Sequence, residues 1–280
     1  MTKEKVKLEK AYHNREFLDS SSARPIRLLS EFLEPQQQLR REGVRDTIVF
    51  FGSARIKSKK VCQIFLKEVK KKQNKSKKLK TKYNKILEDI YTDLNMSRYY
   101  EDAVQLSKML TRWSQSLREP NRFIVCSGGG PGIMEAANKG AILAKGKSLG
   151  LNISLPFEQE PNPFITPALN FEFHYFFMRK FWFVYLSKAF IMFPGGFGTM
   201  DEMMEVLTLV QTQKLRKKVT MVLYGKDFWN TIINFNALVQ MKVISKKDLK
   251  LFKIIDKPLD AFNYIVTELQ KNYPIETSQT

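Results

Sequence analysis

The chain has 280 residues, 43% of them apolar, and a net charge of +19. That apolar fraction is enough for a buried core and argues against disorder along the whole length. Two isolated cysteines, Cys62 and Cys126, argue against a disulfide framework or a cysteine-based zinc site. No apolar run reaches the roughly 18 residues a membrane span needs, and residues 1–17 are charged and lack an apolar signal core. The expectation is a cytoplasmic protein with no membrane partner.

In chain order, residues 1–45 read as a helical extension. Residues 24–33 carry apolar side chains at helical spacing, with Pro35 placed to end that helix. Residues 46–51 (Asp-Thr-Ile-Val-Phe-Phe) form a short apolar, β-branched run that stops at Gly52-Ser53-Ala54-Arg55, the pattern of a buried strand and a tight turn. The next strand-like run, 122–127, follows some seventy residues later, far more than a simple crossover needs. An insertion at 57–98 accounts for the excess. Residues 57–85 hold thirteen lysines and one acid, Glu68, and so carry +12 of the +19. This reads as an exposed, solvated helical arm. Contact with a nucleic acid or a membrane surface is the lesser alternative, because lysine without arginine or interleaved aromatics offers little base readout. Residues 99–117 have the spacing of the crossover helix proper.

Helices at 133–145, 176–187 and 199–214 then alternate with strands at 148–155, 189–193 and 218–224. Helices and loops continue to about 272, and 273–280 is a loose tail. The main body, 46–272, is therefore expected to be α/β: a Rossmann-like, doubly wound, mostly parallel sheet with helices on both faces.

Three glycine turns follow three of the strands: Gly52-Ser53, then Gly128-Gly129-Gly130-Pro131-Gly132, then Pro194-Gly195-Gly196-Phe197-Gly198-Thr199. At the carboxyl edge of an open α/β sheet, such turns let backbone N–H groups and helix N-termini approach a phosphate. None has the spacing of a Walker A loop or a dinucleotide fingerprint. The third turn runs into Asp201 and Glu202, and a carboxylate beside a phosphate cradle would repel the ligand unless it had work to do. Upstream, Arg179 and Lys180 stand in an otherwise aromatic run, where burying charge favours an anionic partner.

Arg179-Lys180, then fourteen residues, then Gly195-Gly196-Phe197-Gly198-Thr199-Met200-Asp201-Glu202 resembles the paired signature of the LOG (lonely guy) family, whose members were long labelled possible lysine decarboxylases. Gly52-Ser53, the Gly128–Gly132 turn with Ile133-Met134, and Thr208 and Gln211 resemble further family motifs. The likeness covers roughly 46–225 outside the insertion and is to the larger, bacterial branch. Three details depart from the pattern: the Gly128–Gly132 turn is one residue shorter, His174 is displaced from the place next to the Arg-Lys pair, and Asp201 stands where the family often has Glu.

The resemblance implies hydrolysis of the N-glycosidic bond of a nucleoside 5′-monophosphate, AMP or cytokinin-type, to free base and ribose 5-phosphate, with no cofactor and no metal. It implies a catalytic pair in Arg179 and Glu202, and substrate binding by Lys180, Gly195, Gly196, Gly198, Thr199, Asp201 and Thr208. Gly52, Ser53, Gly129, Gly130 and Gly132 would close around the nucleotide. It further implies a homodimer with the site near the two-fold axis, which the aromatic-rich segment around Arg179 suits. Two alternatives on the same fold stay open: a non-catalytic nucleotide or molybdenum-cofactor carrier, and a DNA-binding Rossmann-like protein. Lysine decarboxylation is disfavoured, since no lysine sits in a recognisable pyridoxal-phosphate context.

Overall fold

The computed structural model describes residues 8–75, 80–119, 122–156 and 160–275. Helices α1 (Arg15–Asp19) and α2 (Arg24–Arg41) lead into strand β1 (Thr47–Phe51). A helical excursion follows, α3 (Lys59–Lys75) and α4 (Lys80–Gln115), and then β2 (Ile124–Ser127), α5 (Ile133–Leu143), β3 (Ser148–Ile153) and β4 (Asn170–Phe173). The second half runs α6 (Phe176–Tyr185), β5 (Ser187–Met192), α7 (Phe197–Gln211), β6 (Thr220–Tyr224), α8 (Lys226–Ile232), α9 (Phe235–Gln240), β7 (Lys253–Ile255) and α10 (Pro258–Asn272).

Among the described residues seven strands form one sheet in the order β4-β3-β2-β1-β5-β6-β7, and every neighbouring pair is parallel. The chain winds outward from β1 to β4 on one side, then returns to place β5 against β1 and winds outward on the other. The β1/β5 seam is thus the topological switch point, where open α/β sheets leave a crevice. Strand β1 is buried along its whole length, and its pleat divides the core. Ile48 and Phe50 pack with residues of α4, α5 and α10, while Val49 and Phe51 pack with residues of α6, α7 and α8. A strand covered on both faces reads as an unbroken apolar run.

Several expectations are corrected. Strands β4 and β7 were not anticipated. Helix α6 ends at Tyr185, and β5 opens at Ser187. Helix α4 runs unbroken over Lys80–Gln115, so the far side of the lysine-rich excursion and the expected crossover helix are one element. Residues 76–79 of that excursion and 276–280 of the expected tail lie outside the described residues.

Pro35 does not end α2; it lies inside the helix and is buried. Proline lacks the N–H that would bond the carbonyl four residues back, and its ring crowds that oxygen. The carbonyl concerned is Glu31 O, which instead accepts a 3.0 Å hydrogen bond from Trp182 Nε1 of α6. The Glu31 carboxylate accepts from the backbone amides of His174 and Tyr175 at 2.7 and 3.3 Å, which satisfies donors just ahead of α6. One residue of α2 thus secures α6 at its entry and along its length.

Trp182→Phe strands the Glu31 carbonyl and should cost about 1–3 kcal/mol in chemical denaturation. Adding Pro35→Ala restores an N–H for that carbonyl, so the double variant is expected to recover part of the loss. Strictly additive effects of the two changes would contradict this account.

Candidate active site

The turns after β1 and β5 lie side by side across the switch point. Phe193 N donates to Phe51 O at 2.8 Å, Ser53 N to Pro194 O at 2.9 Å, and Ile133 N to Ser53 O at 3.1 Å. These bonds lock the first turn to the third and to the start of α5. In front of them opens a cleft of about 710 Å³. Gly52, Ser53, Ala54, Arg55 and Met134 form one wall, Phe176 and Arg179 of α6 a second, and Gly196 through Glu202 of α7 a third.

The α7 wall presents a helix start. The first bond of this turn is Met200 N to Gly196 O at 3.0 Å, so the amides of Phe197, Gly198 and Thr199 have no acceptor within the helix. A Cβ added at Gly196 or Gly198 would meet nothing within 4 Å. The backbone here is bare towards the cleft, and the helix dipole favours an anion against it. Gly195 serves packing instead, since the Thr199 side chain occupies the place of its missing Cβ.

Glu202 is one turn in and only 6% exposed, with no hydrogen bond to its carboxylate among the described residues. Burial raises its pKa from the ordinary 4.5 to about 7, with Lys180 and Arg179 pulling the other way. Arg179 approaches from α6. Its Nε donates to Leu151 O within β3 at 2.8 Å, and its guanidinium lies 5.0 Å from the centre of the Phe183 ring. Its terminal nitrogens make no hydrogen bond to the described protein. A Cβ at Gly128 would strike one of them and come within 2.7 Å of Met134 Sδ, so that glycine is the gap through which the arginine passes. Burial lowers the arginine pKa, and the Glu202 charge offsets part of that. The two side chains share the cleft without forming an ion pair.

The other expected site residues divide. Asp201, Thr199, Gly52 and Ser53 line the cleft. Ser53 Oγ accepts from Arg55 N at 3.1 Å. Lys180 is not on the cleft wall; one residue around α6 from Arg179, it meets the acids of α7, with Asp201 at 2.8 Å, Glu205 at 2.7 Å and Glu202 at 3.8 Å. Thr208 is exposed and donates to Met204 O at 2.7 Å. Six residues of α-helix turn it about 240° from Glu202, so the two do not share a face.

Gly129, Gly130 and Gly132 lie behind the cleft. Gly129 and Gly132 have φ of +76° and +70°, a region open to glycine at no steric cost. A Cβ on the first would strike Asn152 and on the second the Ser53 backbone. The carbonyls of Gly129 and Gly130 accept from Asn162 Nδ2 at 2.9 and 3.1 Å.

Sequence reasoning passed over Arg55, Met134 and Phe176. Phe176 was findable, since it sits three residues before Arg179 and so shares its helix face; Arg55 closes a turn already singled out. Among the described residues no group of three or more His, Cys, Asp or Glu is arranged to hold a metal ion, and no helix is long and apolar enough to cross a membrane.

Residues 134–265 match the family described as possible lysine decarboxylase, the LOG-family domain. No curated protein matches the chain. Among solved structures it is similar to a molybdenum cofactor carrier protein from Chlamydomonas reinhardtii, at 16% identity over 81% of this chain and 99% of that one, with a TM-score of 0.46. It is also similar to a molybdenum cofactor binding protein from the phototrophic bacterium Rippkaea orientalis, at 20% identity over 61% and 88%, with a TM-score of 0.41. Neither likeness bears on ligand or activity.

The buried carboxylate has a thermodynamic consequence. Glu202 holds its proton more tightly folded than unfolded, so its favourable contribution is present below pH 4.5 and is lost as pH rises through about 7. Above that, keeping the charge buried costs on the order of 3 kcal/mol. Glu202→Gln is therefore expected to raise the melting temperature at pH 8 and leave it nearly unchanged at pH 4.5. Equal effects at both values would show that the carboxylate is not held in this state.

Proposed function

On the premise that residues 134–265 form a LOG-family domain, we propose that the cleft hydrolyses the N-glycosidic bond of a nucleoside 5′-monophosphate, releasing the free base and ribose 5-phosphate. The observation that carries this reading is a buried, unbonded carboxylate and a guanidinium with free terminal nitrogens facing one cleft beside an open helix start. The amides of Phe197, Gly198 and Thr199 take the 5′-phosphate. The ribose then lies against Glu202, whose carboxylate polarises a water and stabilises positive charge as it develops at C1′. The C1′–N bond breaks towards the base, the water oxygen bonds C1′, and a water proton ends on the departing nitrogen. Arg179 orients substrate and carboxylate and favours the ionised state of Glu202. Lys180 offsets the negative charge of Asp201, Glu202 and Glu205 where a phosphate must approach.

The same reading takes a homodimer. Phe177, Phe181 and Tyr185 stand one helical turn apart on α6 and are 57%, 37% and 49% exposed. Exposed Leu29 and Leu33 of α2 extend the apolar area, and Phe32 of α2 lies 5.5 Å from Phe181, ring to ring. A second copy would bury this surface. A carrier on the same fold would need the phosphate cradle but no buried acid beside it.

Incubation with AMP and other nucleoside monophosphates, followed by chromatography for free base, tests the proposal. Glu202→Ala and Arg179→Ala should each lower kcat at least about 100-fold while leaving the fold intact. Nucleotide binding without base release by the unaltered protein would instead support the carrier.

The acid limb of kcat/KM is expected near pH 7, since the reaction uses ionised Glu202. Lys180 lowers the pKa of that carboxyl, so Lys180→Met should move the limb to higher pH. A limb that moved down, or stayed, would remove Glu202 from the role of the titrating group.

A further inference from the structure

We propose that the outward face of α3 adsorbs to an anionic phospholipid surface. In the α3–α4 hairpin, Cys62 is buried and Leu66 and Val69 are half-buried, which sets the face turned towards α4. The outward surface has two parts. Lys59, Lys60, Lys67, Lys71 and Lys72 are exposed, and none has an ion-pair partner among the described residues; exposed Lys70 instead leans over the Tyr91 ring of α4, 5.7 Å from its centre. The neighbouring Lys57, by contrast, is paired with Asp93 at 2.8 Å. Five outward lysines within fourteen positions, including the i,i+4 pair Lys67–Lys71, outnumber the one exposed acid among them, Glu68, and their mutual repulsion works against the helix they stand on. A surface of opposite charge relieves that repulsion.

Beside the lysines, Val61, Ile64 and Phe65 occupy positions i, i+3 and i+4 and are 38%, 46% and 44% exposed. Cationic and apolar side chains next to each other on one helix fit the boundary between lipid headgroups and acyl chains, where lysines meet phosphates and the apolar residues enter below them. A nucleic acid would also attract the lysines, but its backbone offers nothing to Val61 and Ile64. The residues are lysine throughout, with no arginine on α3 to grip a phosphate in two-pronged fashion. This adsorption is peripheral and requires no membrane-crossing segment. It is independent of what the cleft does.

The test is co-sedimentation of the full chain with phosphatidylcholine vesicles, with or without about one-third phosphatidylglycerol. Binding is expected only to the anionic vesicles and should weaken as salt rises. Ile64→Ser with Phe65→Ser, both at exposed sites, should weaken it about tenfold, and so should Lys67→Glu with Lys71→Glu. Circular dichroism checks that both double variants fold. Four outcomes would each overturn the proposal: no vesicle binding, binding indifferent to the serine pair, tighter binding to a single-stranded RNA of matched charge, or sedimentation without vesicles through association of copies.

Discussion

A half-buried guanidinium and a buried carboxylate, facing one cleft and held apart from each other, are the arrangement on which the proposed chemistry depends. Left free, a guanidinium and a carboxylate in a low-dielectric site would collapse into a bidentate pair, and nothing would remain for a ligand. Here each is restrained from behind. Arg179 is threaded past Gly128, tied by Nε to the Leu151 carbonyl and laid against Phe183. Glu202 is fixed by its place in the first turns of α7, with Lys180 as its nearest cation at 3.8 Å. The polypeptide between them is the rest of α6 and the whole of β5, and β5 lies in the middle of the sheet, bonded to β1 and β6. The fourteen residues separating the Arg-Lys pair from the glycine turn thus measure a structural distance.

That relation explains why the site's location was legible in sequence. Strands β1 and β5 are buried on both faces and so print as continuous apolar runs. The glycine turns at their ends mark the carboxyl edge, and the motif spacing reports the strand between. Strand β4 was illegible for the opposite reason: its side chains alternate between exposed and buried, and its four residues sit within an aromatic stretch that reads as one block. Strand β7 has only three residues, none fully buried.

Within the site, residue type was a poor guide to role. Gly196 and Gly198 face open space where a ligand can approach, whereas Gly129 and Gly132 make room for Asn152 and for the Ser53 backbone. All four look alike in sequence, because the atom that a Cβ would meet comes from a different part of the chain. Lys180 and Thr208 carry the same lesson. Their family-motif positions are clear, but helix phase sends one into a cluster of carboxylates and the other to the solvent side. Arg55 stands in an exposed turn, where no periodicity points to the cleft.

The clamp between Glu31 and Trp182 joins residues 151 positions apart. Contacts of such separation form late in folding, after the entropy of closing the intervening loop has been overcome. On a ribosome, α2 is synthesised long before its partner exists, and the oxygen that Pro35 leaves without an intrahelical donor stays hydrated until α6 emerges. Since α6 also carries Arg179, the guanidinium reaches its place in the cleft only when α2 docks. Assembly of the cleft is thereby coupled to completion of the surrounding layers, and partly folded chains lack a finished pocket.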